Sequence, residues 1–194
     1  MNKYFLSVLG LSISLLLLVG CSSSPTSHHY LLSPVTADSK VTSGEFCPAI
    51  GVGPVTLPDY VNRTQIVTRT SANELALGYL DLWAEPLTES VPRMIAENLS
   101  RLLCTKEIVF FPWRPSRVPD IRVEAEVLTM DGTLGGSVSL DVWWSVASGD
   151  TRIVRKATYA QAAAGQSYDA LVQAHSLALG ALSRDIAGVI AQIK

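Results

Sequence analysis

Apolar and polar positions change period several times along this chain, and each change marks an element. Residues 4–19 form an apolar run rich in Leu, broken only by Gly10 and three serines. After a Ser-, Thr- and Pro-rich stretch interrupted by Tyr30-Leu31-Leu32, the segment Ala49 to Leu57 is short and largely apolar, with β-branched Ile50, Val52, Val55 and Thr56. It ends at Pro58-Asp59-Tyr60, which predicts a strand entering a turn, and Pro54 places that strand at a sheet edge because proline donates no ladder hydrogen bond. Thr64 to Thr70 and Glu74 to Trp83 read as two further strands around polar Ser71-Ala72-Asn73, and the three are expected to form an antiparallel meander. The Tyr30-Leu31-Leu32 patch reads as a short strand tying the preceding segment to the domain.

From Pro86 to Cys104 the period lengthens. Leu87, Val91, Ile95, Leu99 and Leu102 fall three or four apart, the spacing of one helical face. Pro92 inside this run predicts either a start near Ser90 or a kink, since its ring removes an N–H from the helix ladder. Ile108 to Phe111 then reads as a short buried strand, and the prolines of Pro112 to Pro119 stop it. Ile121 to Met130, Ser137 to Ala147 and Arg152 to Gln161 read as strands joined around Asp131-Gly132 and Ser148-Gly149-Asp150. In the middle one Val138, Leu140, Val142, Trp144 and Val146 share one face, whereas Ser137, Ser139, Asp141, Trp143 and Ser145 share the other. Its apolar face needs a cover, and Tyr168 to Lys194 supplies one, a helix N-capped by Ser167 with Leu171, His175, Ala178, Leu182, Ile186, Val189 and Ile193 on one stripe. The order βββαββββα predicts an α+β fold: a two-layer domain in which a mixed or antiparallel sheet carries two amphipathic helices on one face.

The first apolar run is an address rather than an element. Lys3, the run, and Leu18-Val19-Gly20-Cys21 together have the form of a signal peptide ending in a lipobox. The run is too short for a stable span, which needs roughly 20 apolar residues. The Cys21 thiol accepts a diacylglyceryl group before cleavage, and the small Gly20 is what the peptidase tolerates just ahead of it. The chain therefore divides into residues 1–20 (signal), 21–46 (acylated tether) and 47–194 (one domain). Similarity to enterobacterial lipoproteins adds that Ser22, in place of an Asp, directs such a protein to the outer membrane, facing the periplasm.

Charge excludes one class of partner. Lys and Arg number 15 against 17 Asp and Glu, a net −2, and loss of Lys3 with the signal makes this −3. A nucleic-acid surface needs clustered cations, which this chain lacks. Cys47 and Cys104 read either as a disulfide, expected in an oxidising compartment, or as two buried thiols. Catalytic constellations are absent. His28 and His29 fall in the tether, and His175 has no Ser, Cys or carboxylate spaced to work with it. Gly165-Gln166-Ser167 lacks the second glycine of a nucleophile elbow, Gly132 to Gly136 lacks the Lys of a phosphate loop, and Asp81, Glu85 and Glu89 straddle a strand end. No enzyme, metal site or cofactor is expected beyond the covalent N-terminal lipid.

What remains is surface for contact. Trp143 points out from a polar strand face, and an exposed aromatic is a common interface anchor. Trp113, Arg114 and Arg117 sit in the proline-bounded loop, which reads either as a contact surface or as a packed loop whose Trp113 covers the core edge.

Val55-Thr56-Leu57-Pro58-Asp59-Tyr60-Val61, followed by Leu82-Trp83-Ala84-Glu85-Pro86-Leu87, resembles the paired signature of the ABC-type transport auxiliary lipoproteins, the PqiC-like family. The lipobox, Tyr30-Leu31-Leu32 and the terminal helix are similar too. That resemblance implies a fold like the TolB N-terminal domain, with Pro58, Asp59, Tyr60, Trp83, Pro86 and Leu87 in structural or partner-binding roles. It also implies a non-enzymatic part in envelope lipid transport, with an MCE-domain tunnel protein and its inner-membrane transporter as partners, a membrane reached through acyl chains, and a homo-oligomer within range. The competing expectation is a lipid- or lipopolysaccharide-binding lipoprotein with a ligand groove under its helices.

Overall fold

Alternation in the strand Ser137–Ser148 builds the core: Val138, Leu140, Val142, Trp144 and Val146 are all essentially buried, because every second side chain of a strand points to the same face. In the computed structural model, which describes residues 25–34 and 47–193, Cys21, the signal segment and much of the tether lie outside the described residues. The elements in chain order are β1 (His28–Tyr30), β2 (Ala49–Thr56), β3 (Gln65–Ser71), β4 (Glu74–Trp83), α1 (Leu87–Leu102), β5 (Glu107–Phe110), β6 (Ile121–Gly132), β7 (Ser137–Ser148), β8 (Thr151–Ala162) and α2 (Tyr168–Ile190).

The α+β class and the two helices packed together on the sheet agree with the pattern, but the strands divide into two sheets. One holds five strands in the order β5-β2-β6-β7-β8, the other three in the order β1-β4-β3. The expected meander of the first three long strands does not form. β3 and β4 pair as a hairpin, whereas β2 lies parallel to both β5 and β6. Nor is β2 an edge strand. Its ladder to β6 shifts register between Val52 and Val55, and this irregularity takes Gly53 and the cis Gly53-Pro54 bond out of the pairing, so a proline fits within a central strand. Gly53 has φ 119°, a backbone state that a side chain disfavours.

Helix α1 begins at Leu87, directly after Pro86, and runs on through Pro92 to Leu102. The expected late start near Ser90 is therefore wrong. The carbonyl of Pro86 accepts from the amides of Glu89 and Ser90 at 3.0 Å each, which secures the first turn, and Leu87, Val91, Ile95 and Leu99 bury their side chains beyond Pro92 as before it. Packing of the apolar stripe outweighs the single lost hydrogen bond. Ser167 Oγ caps α2, accepting from Ala170 N at 3.2 Å. That helix stops at Ile190, short of the expected end. Where α1 meets α2, fully buried Asn98 donates to Ser183 Oγ at 3.2 Å, and Ser183 donates to Leu179 O at 2.8 Å, so the polar pair in the interface is satisfied.

Part of the stretch read as tether is built into the domain. β1 lies parallel to the end of β4, with His28 opposite Asp81 and Tyr30 opposite Trp83. Leu32 joins the core, and Ser33 N donates to Ser176 Oγ on α2 at 3.0 Å. Cys47 and Cys104 form a disulfide, Cα to Cα 4.8 Å, tying the start of β2 to the segment after α1. In the chain-entropy view, closing a loop of that length stabilises the fold by about 4 kcal/mol.

Candidate partner interface

The motif positions lie at the junction of the two sheets. Pro58 and Asp59 make a turn, their carbonyls accepting from Val61 N at 3.1 Å and Asn62 N at 3.2 Å. The turn aims Tyr60 at the end of β6, where its hydroxyl donates to Asp131 Oδ2 at 2.7 Å and accepts from Met130 N at 3.1 Å. Arg69 of β3 closes on the same carboxylate with Nε to Oδ1 at 2.8 Å and Nη2 to Oδ2 at 2.7 Å, a bidentate fork. Asp131 is only 3% exposed. Burial alone pushes its carboxyl up, but the Arg69 and Tyr60 hydrogen bonds outweigh that and hold it below the ordinary range. Burial, then the neighbouring carboxylate, pushes Tyr60 up to about 12. Neither group changes charge near neutral pH, so the arrangement is a permanent clamp between β3, the turn and β6.

Trp83 ends β4, its amide bonded to Thr64 O at 2.7 Å and its indole edge-on to His175 at 6.2 Å between ring centres. Pro86 and Leu87 open α1. His175 is buried, its Nδ1 makes no hydrogen bond, and burial pushes its pKa down to about 4 against a small upward pull from Asp131. It is neutral at physiological pH and, among the described residues, no nucleophile pairs with it.

The loop and Trp143 lie on the other face of the five-stranded sheet. Trp113 is half-buried there: a β-carbon at Gly51 would come within 2.8 Å of its indole and 2.5 Å of Pro119 Cγ. Glycine at 51 is what lets the loop lie flat on β2. Phe111 stands edge-on to Trp113 at 5.4 Å, and Arg117 Nε reaches Glu107 at 3.0 Å, while Arg114 is exposed. On β7, Trp143 is 43% exposed with the Lys156 ammonium 5.7 Å from its ring centre, a cation–π contact. Glu124 beside it holds Arg152 at 2.7 Å.

Two residues that the pattern did not single out as contacts connect these places. Pro54 borders both the depression of about 470 Å³ beside Trp143 and a second of about 400 Å³ that reaches Phe110, Phe111, Pro92 and Arg93. Phe110 borders that second one and a third, formed with Trp113, Arg114 and Arg117. One continuous band thus runs from the proline-bounded loop past the β2 irregularity to Trp143. Proline in an apolar strand is the available signal for Pro54; by itself it points to an edge, whereas the strand is central and its irregularity opens to the surface.

The family model for the ABC-type transport auxiliary lipoprotein component matches residues 30–187. The chain belongs to that family. It is 31% identical over 93 residues to the intermembrane transport lipoprotein PqiC of Escherichia coli strain K12, and equally to PqiC of Shigella flexneri, an alignment covering 47% of this chain and 50% of each relative. The chain thus spans about half the length of the curated relatives it matches. Among solved structures, an uncharacterised protein superposes with a TM-score of 0.66 at 20% identity over 86% of this chain and 99% of its own. A Xanthomonas campestris protein gives 0.67 at 13% identity over 84% and 94%. At such identities these two establish the fold alone. Family members are transport auxiliary lipoproteins, and among the described residues no helix is long and apolar enough to cross a membrane.

Proposed function

We propose that this chain is an auxiliary lipoprotein of an envelope lipid-transport system, anchored through Cys21 in the outer membrane and working in the periplasm by contact with an MCE-type tunnel component. The observation that carries this reading is the continuous band from Trp113 and Arg114 through Phe110, Phe111 and Pro54 to Trp143. It is rich in aromatics and edged by cations, which is the composition of interface hot spots. The PqiC relatives are intermembrane transport lipoproteins, which supports the same reading. An acyl anchor would raise the local concentration of the domain, so a modest interface suffices. The competing place for a lipid, under the helices, is occupied by the core: Leu171, Leu179, Leu182 and Ile186 are fully buried there.

The test is co-purification of the full lipidated chain with an MCE-domain protein from membranes, followed by photocrosslinking from position 111 or 143. Crosslinks from the band and none from Arg184, exposed on α2, are expected. Absence of any MCE-domain protein after crosslinking would remove the proposal.

A further inference from the structure

Among the described residues, the three-stranded sheet leaves one edge of β4 open along much of its length. Among the described residues β1 covers β4 only from Asp81 to Trp83, and β3 lies on the opposite side of β4, so Glu74 to Leu80 have a free edge. Leu75, Leu77 and Tyr79 alternate onto one face of that stretch, all exposed, with Leu77 at 47% and Tyr79 at 87%. No charged residue occurs between Leu75 and Leu80. The contrast with the other long edge is sharp, since β8 carries Arg152, Arg155 and Lys156. Cations of that kind guard an edge against pairing with another chain. An unguarded apolar edge persists in a folded protein when something else covers it.

Chain length says what does. β1 runs parallel to β4, so the chain upstream of His28 leaves on the side of Leu80 and Tyr79. Cys21 is seven residues before His28, and at about 3.5 Å per residue it stays within about 25 Å of Asp81. The span from Asp81 back to Leu75 along β4 is about 20 Å at strand rise. An acylated Cys21 therefore holds the bilayer within about 25 Å of the Asp81 end of β4, a reach comparable to the length of the strand that carries the patch. We infer that Leu75, Leu77 and Tyr79 form a membrane-facing surface that rests in the interfacial region of the anchoring leaflet, with the Tyr79 phenol at headgroup level as tyrosines are at membrane boundaries. Acyl chains and patch then act together, one holding the domain and the other setting its orientation, as two-signal anchors do. The inference rests on Cys21 as the lipid attachment point under the proposed function.

The test uses the full lipidated chain. With Cys21 acylated and Cys47 bonded to Cys104, a Tyr79→Cys variant offers a unique thiol for an environment-sensitive fluorophore, and a Val154→Cys variant offers the same on β8. Both go into vesicles of three parts phosphatidylethanolamine to one of phosphatidylglycerol, with and without spin-labelled lipid. Quenching at position 79 at least two-fold stronger than at 154 is expected. Equal quenching in protein that floats with the vesicles overturns this inference and leaves the anchor intact. Failure to float overturns both. Tyr79 is so exposed that its replacement leaves the fold unchanged, and thermal melts of the two variants check this.

Discussion

Trp143 and Trp144 are neighbours in one strand and face opposite worlds. Trp144 is 2% exposed and belongs to the same core as Val142, Val146 and Ile186. Trp143 stands on the open face beside Lys156. The helix-covered side of the five-stranded sheet is saturated with aliphatic contacts, and its polar groups are few and mostly paired. The open side keeps Trp143 and Phe111 at the surface, and the loop covers it over Gly51. Identical side chains thus contribute to stability on one side and remain available for recognition on the other.

The largest effect that probes this contrast is Trp144→Ala, expected to lower the unfolding free energy by about 4 kcal/mol in denaturant titrations. A loss below about 1 kcal/mol would mean that the covered face is not the core. Next comes pH. Buried His175 stays neutral down to about 4, whereas unfolded histidine takes a proton near 6.5. Between those values the unfolded state binds the extra proton, so stability falls as pH falls, by about 2 kcal/mol from pH 7.5 to pH 5. His175→Leu should flatten that slope. Gly51→Ala should cost about 1.5 kcal/mol, because its β-carbon displaces Trp113 and Pro119, and tryptophan emission should shift red as the indole is released. The smallest effect on stability belongs to Trp143→Ala, within about 0.5 kcal/mol, and that variant should lose most co-purification with the MCE-type partner. Equal losses of stability from both tryptophan variants would erase the distinction between the faces.

The division of labour within β7 was legible in the sequence because strand alternation has a period of two and needs no knowledge of neighbours. The Ser167 cap was legible for the same local reason. The position of β2 was not. Turn chemistry at Pro58-Asp59 pointed to a hairpin with the next strand, but the turn instead delivers Tyr60 to Asp131, and the partner strand β6 lies far along the chain. The clamp of Arg69, Tyr60 and Asp131 was unreadable on the same ground, since its members come from three separate segments. Pro92 misled in the opposite direction: a local rule allowed a late start near Ser90, which buried Leu87, Val91 and Ile95 override by holding the helix from Leu87 onward. The proposed contact band was half visible, as Trp113, Arg114, Arg117 and Trp143, but the residues joining them are defined by where the β2 irregularity meets the ends of α1 and β5.

The central placement of β2 also sets an order of events. Ile50 pairs with Ile121, so a chain made from its N-terminus offers β2 about 70 residues before the strand it must lie against. The hairpin of β3 and β4 can close early, and so can the β6–β7–β8 meander once it is made, because each is local. β2 has to wait, apolar and unpaired, for both of its neighbours. Assembly of the five-stranded sheet is therefore a late joining of two halves, and the waiting strand is the segment that a holding chaperone has most reason to grip.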